Sequence, residues 1–208
     1  MTHTLLIVDD SPYIRDILKT MLTRRGYTAV TAADGAECTK ILDGCTPDLI
    51  LLDIMMEPVT GWEILRVLRD NPDTAAFPVM MITAKPLTPR EAEEYGNIIE
   101  DYLVKPITHS ELFGAVEGFF ARRSRVEHEV INATGAGLGQ DILTEYRDLS
   151  RQVIVSRRLV GLLGESLRSG YVAPGERQAA IGTIERMKQK IVRQEIRIGE
   201  IRGMFGRE

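Results

Sequence analysis

The first 123 residues alternate short apolar runs with longer amphipathic stretches, a pattern that predicts a parallel sheet whose strands are joined by crossover helices. Strands are expected at Thr4–Val8, Thr28–Thr31, Leu49–Leu52, Val79–Ile82 and Tyr102–Val104. Leu49–Leu52 and Val79–Ile82 show no polar alternation, so they read as central strands buried on both faces. Helices are expected at about Tyr13–Arg25, Gly35–Leu42, Gly61–Asp70, Pro89–Tyr95 and Ser110–Arg122. Ser11 before Pro12, and Asp34 before Gly35, supply side-chain caps for the first two.

The texture changes near Ser124. Thr134 to Gly139 is glycine-rich and should interrupt any helix that reaches it. Beyond it, Ile142, Tyr146, Leu149, Val153, Val160, Leu163 and Leu167 recur at helical spacing. They form one apolar stripe on a helix about 27 residues and roughly 40 Å long. Ser169 to Gly175 makes a turn, and a second stripe follows: Ile184, Met187, Ile191, Ile198, Ile201 and Phe205, with Gln194 as its polar member. Two antiparallel helices, each with one narrow seam, are indicated. The expected organisation is an α/β domain over 1–123, a linker over 124–140 and a helical hairpin over 141–208.

Composition changes this picture little. With 44% hydrophobic and 27% charged residues, the 208-residue chain suits a globular cytoplasmic protein, and no apolar run approaches the roughly 20 residues of a membrane span. The net charge of −4 hides an asymmetry: residues 1–123 carry 12 basic against 19 acidic side chains, and residues 124–208 carry 14 against 11. The acidic half can concentrate a divalent cation. A surplus of +3 spread along helices argues for a solvated face and against a nucleic-acid patch. Cys38 and Cys45 lie seven residues apart, about 10 Å on one helix, which is too far for a disulfide.

The chemistry collects at strand ends. Doubly wound sheets place functional groups at the carboxyl ends of their strands. Asp9 and Asp10 follow the first strand, Asp53 the third, Thr83 the fourth and Lys105 the fifth. Clustered carboxylates repel unless a hard cation lies among them, and magnesium favours such oxygen donors. A carboxylate that attacks a phosphoryl donor needs the charge on the phosphoryl oxygens neutralised; a metal, an ammonium and a hydroxyl do so together. Lys105 precedes Pro106, where a cis peptide can aim the ammonium back into the pocket.

This set, with Asp53 to Thr83 spaced by 30 residues and Asp53 to Lys105 by 52, resembles the receiver domain of two-component response regulators. The segments Ile7–Ser11, Leu51–Met56 and Asp101–Pro106 are similar to its signatures. The resemblance implies a flavodoxin-like, five-stranded doubly wound sheet, with Asp53 as phosphoacceptor. It further implies Mg2+ held by Asp10, Asp9, Asp53 and the Met55 carbonyl, Lys105 paired with the phosphoryl group, and Thr83 and Tyr102 as switch residues. Tyr102 is expected to rotate inward when Thr83 engages the phosphoryl group. A sensor histidine kinase is the implied partner. One departure stands out: Glu57 occupies the position where the family usually has proline, and Pro58 follows. Met55 and Lys85 flank the expected path of a hydrolytic water, and an apolar Met55 positions it poorly. The chain is therefore expected to be no enzyme beyond slow self-dephosphorylation.

The output is less legible. A helix-turn-helix needs three compact helices with a basic recognition helix, and that pattern is not seen here. The preferred expectation is a hairpin that self-associates or docks a partner, because lone seams need a second layer. Gln194 would then set register. A homodimer through the hairpin, or through the receiver face of the fourth helix, fifth strand and fifth helix, is the expected assembly. The alternatives are a DNA-binding regulator with an atypical helical output, a hairpin folded back on the receiver, and a phosphorelay intermediate using His128.

Overall fold

The computed structural model describes residues 2–135, 137–170, 172 and 174–205. Two compact units divide the chain: residues 1–86 with 98–113, and residues 87–97 with 114–208. Ala136 of the glycine-rich break, and Tyr171 and Ala173 of the expected turn, lie outside the described residues.

The first unit holds a five-stranded parallel sheet of order β2-β1-β3-β4-β5. Its strands are β1 (Thr4–Val8), β2 (Thr28–Ala32), β3 (Leu49–Leu52), β4 (Val79–Thr83) and β5 (Asp101–Val104). Every residue of β3 and β4 is buried, as their unbroken apolar runs require. Helices α1 (Pro12–Arg24), α2 (Gly35–Leu42) and α3 (Gly61–Asp70) join the strands. The Ser11 hydroxyl and the Asp34 carboxylate cap α1 and α2 by accepting from Ile14 and Glu37 backbone N–H groups. Thr60 and Glu63 close a reciprocal capping box on α3. Cys38 is buried on α2, and burial pushes its thiol up to about 11; Cys45 lies beyond that helix, and both are free thiols.

The second unit departs from the expected hairpin. It comprises α4 (Pro89–Tyr95), most of α5 (His109–Gly135), α6 (Gln140–Arg168) and α7 (Arg177–Arg202), with a short 3-10 turn at Pro174–Glu176 before α7. The expected linker is a correction: residues 124–135 continue α5 as helix and stop only at the glycine-rich break. The physical reason is a third apolar stripe, Val126, Val130 and Ala133, at helical spacing. Val130 and Ala133 pack with Leu143 and Tyr146 of α6 and Ile201 of α7, ringed by Val126, Leu138, Ile142, Leu149, Ile198 and Phe205. The chain itself thus supplies a layer the hairpin was expected to borrow.

Helix α4 supplies another. Burial on α6 is wider than one seam: Val155, Ser156 and Leu159 are buried as well as Tyr146, Val153 and Leu163. Leu159 faces Gly96 at the end of α4, where an added Cβ would stand 2.9 Å from its Cδ1 and 2.5 Å from the Ala92 carbonyl oxygen. Glu93 of α4 accepts from the Arg186 guanidinium at 2.6 and 2.9 Å and from the Thr183 hydroxyl at 3.2 Å. Asn97 accepts from Arg151 at its carbonyl and from Lys190 at its side chain. Gln194 is buried in the seam as expected, but it donates to Gln152 of α6 within the same chain.

Candidate functional site

Strand ends bring the expected acids and base together. The ladder continues one residue past the strands: Asp53 N–H donates to the Val8 carbonyl, Lys105 N–H to the Thr83 carbonyl, and Asp9 N–H to the Ala32 carbonyl. These bonds pin three functional residues to the sheet edge. The Lys105 ammonium then donates to Asp9 Oδ2 and Asp53 Oδ2, each at 2.6 Å. The side chains of Asp9, Asp53 and Lys105 are only 3%, 7% and 16% exposed. The remaining oxygens are also satisfied, Asp9 Oδ1 by Ser11 N–H at 2.9 Å and Asp53 Oδ1 by Met55 N–H at 3.0 Å.

One ammonium shared by two carboxylates leaves the pocket short of positive charge. Burial raises the Asp9 carboxyl above the usual carboxylate range, and Lys105 offsets this only in part. Burial works against the Lys105 ammonium too, but the hydrogen bonds and charges of Asp53 and Asp9 outweigh it and hold its pKa above the ordinary lysine value. Asp10 is exposed, next to this cluster in sequence but outside its hydrogen bonds.

The oxygen donors suit magnesium. Mg2+ retains several waters and is commonly held by one or two carboxylates. Among the described residues no three His, Cys, Asp or Glu side chains form a ready-made cage. Asp9 and Asp53 converge, Asp10 stands beside them in sequence, and Met55 offers a backbone carbonyl. With three carboxylates against one ammonium, the set has a formal charge of −2, which a divalent cation complements.

The two residues expected to switch, Thr83 and Tyr102, both bond to Lys85. Thr83 is fully buried, and its Oγ1 accepts from Lys85 N–H at 3.2 Å. Tyr102 lies inward in this structure, fully buried, with its hydroxyl donating to the Lys85 carbonyl at 2.7 Å. Sequence reasoning missed two neighbours. Trp62, the chain's single tryptophan, stacks on Tyr102 with ring centroids 6.3 Å apart. Arg15 donates to the Asp9 carbonyl at 2.6 Å. Trp62 sits inside α3 and Arg15 inside α1, away from the strand ends, so only folded proximity reveals them.

The loop after Asp53 is tightly built. Gly61 N–H donates to the Ile54 carbonyl, and a Cβ at Gly61 would stand 2.0 Å from the Asp53 carbonyl oxygen. No side chain fits there. The Glu57–Pro58 and Lys105–Pro106 peptides are both cis, the second as the sequence suggested. Met55 is 57% exposed. His128 is on the exposed side of α5 with Nδ1 against its own Ser124 carbonyl; it belongs to a helix of the second unit and not to a linker.

Comparison with known proteins divides the chain in a similar way. Residues 5–117 match the response regulator receiver domain, and residues 122–208 match a family described as metanogen output domain 2. The second match begins inside α5, earlier than the expected hairpin. A solved N-terminal domain of a response regulator receiver protein from Methanoculleus marisnigri JR1 is 54% identical, with a TM-score of 0.50, over 57% of this chain and 96% of that one. The response regulator TrrA from Thermotoga maritima, solved in complex with Mg(2+)-BeF, is 29% identical with a TM-score of 0.50 over 57% of this chain and 99% of that one. The DNA-binding dual master transcriptional regulator RpaA of Synechocystis is 33% identical over 59% of this chain and 51% of its own length. The chain spans about half the length of such curated relatives. Among the described residues, no helix is long and apolar enough to cross a membrane.

Proposed function

The chain belongs to the response regulator receiver family, and from that premise we propose that Asp53 accepts a phosphoryl group from a sensor histidine kinase and that the helical unit carries the output. The observation that supports this most is the Lys105 ammonium, 2.6 Å from both Asp9 and Asp53 in a nearly closed pocket. An Asp53 oxygen attacks phosphorus, the bond from phosphorus to the donor's histidine nitrogen breaks, and that nitrogen keeps the electron pair. Lys105 moves its charge onto the arriving phosphoryl oxygens, and the Thr83 hydroxyl turns from Lys85 N–H to donate to them. Mg2+ held by Asp9, Asp10, Asp53 and the Met55 carbonyl would neutralise the remaining charge. Met55 offers no polar group to position a hydrolytic water, so the acyl phosphate decays slowly and the protein is a phosphoacceptor, not an enzyme.

Transmission runs through α4. Five residues, 84–88, separate Thr83 from the first residue of α4, and Lys85 among them is bonded to both Thr83 and Tyr102. A shift of Thr83 and Tyr102 releases Lys85 and re-aims α4, which α6 and α7 grip through Glu93, Gly96 and Asn97. The output is a surface for a partner protein. The ground for a homodimer, bare apolar seams, is weakened because α4 and α5 already cover them.

DNA binding is less favoured. Arg147, Arg157, Arg186, Arg197 and Arg202 are paired with Glu127, Glu195, Glu93, Glu145 and Glu129, so these five arginines add no free positive charge to a nucleic-acid face. The test is incubation with a small acyl phosphate donor and Mg2+, with the protein's mass measured. Wild type should gain one phosphoryl group and Asp53→Asn none. Equal incorporation by both would defeat the assignment.

A further inference from the structure

Helices α4, α6 and α7 line a cleft of about 260 Å³ that contains none of the residues of the Asp53 pocket. Glu93, Asn97, Ser156, Arg186, Lys190 and Arg193 are among its lining residues. Arg186, Lys190 and Arg193 recur at spacings of four and three, so one face of α7 turns three cations toward it.

Only one of those cations meets an acid there. Glu93 accepts from Arg186 through a single oxygen, Oε1, at 2.6 and 2.9 Å. The Lys190 ammonium donates to Asn97 Oδ1 at 2.7 Å, a neutral acceptor. Burial without a facing carboxylate pushes the Lys190 pKa down, as expected for an ammonium that lacks a counter-charge. Arg193 is exposed and makes no ion pair among the described residues. The cleft therefore carries a formal charge of +2, with the Asn97 amide and the Ser156 hydroxyl in its wall.

We propose that this cleft binds a small oxyanion of the phosphate class, free or as a monoester, between Lys190 and Arg193 of α7 and the end of α4. A tetrahedral dianion matches the charge and accepts from ammonium and guanidinium together. Bound there, it sits against Asn97, just past the end of α4, and gives the helical unit a second input. The proposal stands on the cleft alone and does not require that Asp53 be phosphorylated.

The test titrates inorganic phosphate into the 15N-labelled full chain at constant ionic strength, without Mg2+ or phosphodonor so that the Asp53 pocket stays uncharged with ligand. Saturable amide shifts are expected at residues 92–97 and 186–193, with a Kd on the order of 1 mM. Lys190→Met and Arg193→Met should each weaken binding about tenfold. Lys188→Met removes the same charge from an exposed site on α7 and should leave binding unchanged. Unfolding curves for each variant separate lost binding from lost fold. Shifts that never saturate, equal weakening by Lys188→Met, or equal binding of acetate would each overturn the proposal.

Discussion

Acid meets base in both units of this protein, but with different physical consequences. In the sheet unit one ammonium serves two carboxylates, and all three side chains are at most 16% exposed. In the helical unit the pairs Arg147–Glu127, Arg197–Glu145 and Arg202–Glu129 are each roughly 30–50% exposed and tie one helix to another. Water and salt screen the second kind, so each contributes little alone. The first kind is poised: remove one member and the others are left charged in a poor solvent. Such charges suit a pocket proposed to respond to one phosphoryl group. A scaffold that must hold helices in register can use exposed ones.

The largest expected effect is functional. Asp53→Asn should abolish phosphoryl incorporation while leaving the fold intact, read by intact mass and thermal unfolding. A fall in stability comparable to a core mutation would mean that Asp53 is structural. Next, Tyr146→Ala should cost about 4 kcal/mol in denaturant unfolding. Its ring is fully buried, packs edge-on to Phe205, and its hydroxyl donates to Glu129 while accepting from Arg202. Tyr146→Phe keeps the ring and should cost only about 1 kcal/mol.

Lys105→Met sharpens the contrast through pH. It leaves Asp9 and Asp53 facing each other, at a cost on the order of 3 kcal/mol near neutral pH. Because burial already raises Asp9, its protonated form is favoured in the fold; that contribution is complete below the ordinary carboxylate range and lost as pH rises through the raised value. The deficit of Lys105→Met should therefore shrink as pH falls toward 4, and a deficit independent of pH would contradict the account. In the wild type the raised Lys105 pKa has the opposite reach: its stabilisation is complete below the ordinary lysine value and fades only as strongly alkaline pH rises through the raised one. Smallest of all, Arg147→Ala should cost under about 1 kcal/mol, and added salt should erase most of it.

What was legible in the sequence follows the same division. Asp9, Asp53, Thr83 and Lys105 could be placed because the chemistry demands those residue types at strand ends, and unbroken runs such as Leu49–Leu52 mark the strands. Trp62 and Arg15 could not be placed, since only folded proximity gives them a part. Tyr102 was expected to turn inward on activation, yet here it already lies inward against Lys85. In the helical unit the seams were found, including Gln194, but their covering was not. The stripe of Val126, Val130 and Ala133 is spread among charged neighbours, and Val155 and Leu159 form a second face on α6 that makes sense only once α4 lies against it. Helix–helix partnership is a property of tertiary packing, and periodicity along one helix does not name the partner.

The central claim is that charge arriving at Asp53 reaches α6 and α7 by way of α4. Hydrogen exchange of the full chain, with and without Mg2+ and beryllofluoride, tests it most directly, with Trp62 fluorescence reporting that the pocket is filled. The account predicts altered protection across 89–97 and along 140–202 in wild type, and no change in Asp53→Asn. Altered exchange confined to the residues around Asp53 and Thr83, with the helices unmoved, would contradict it.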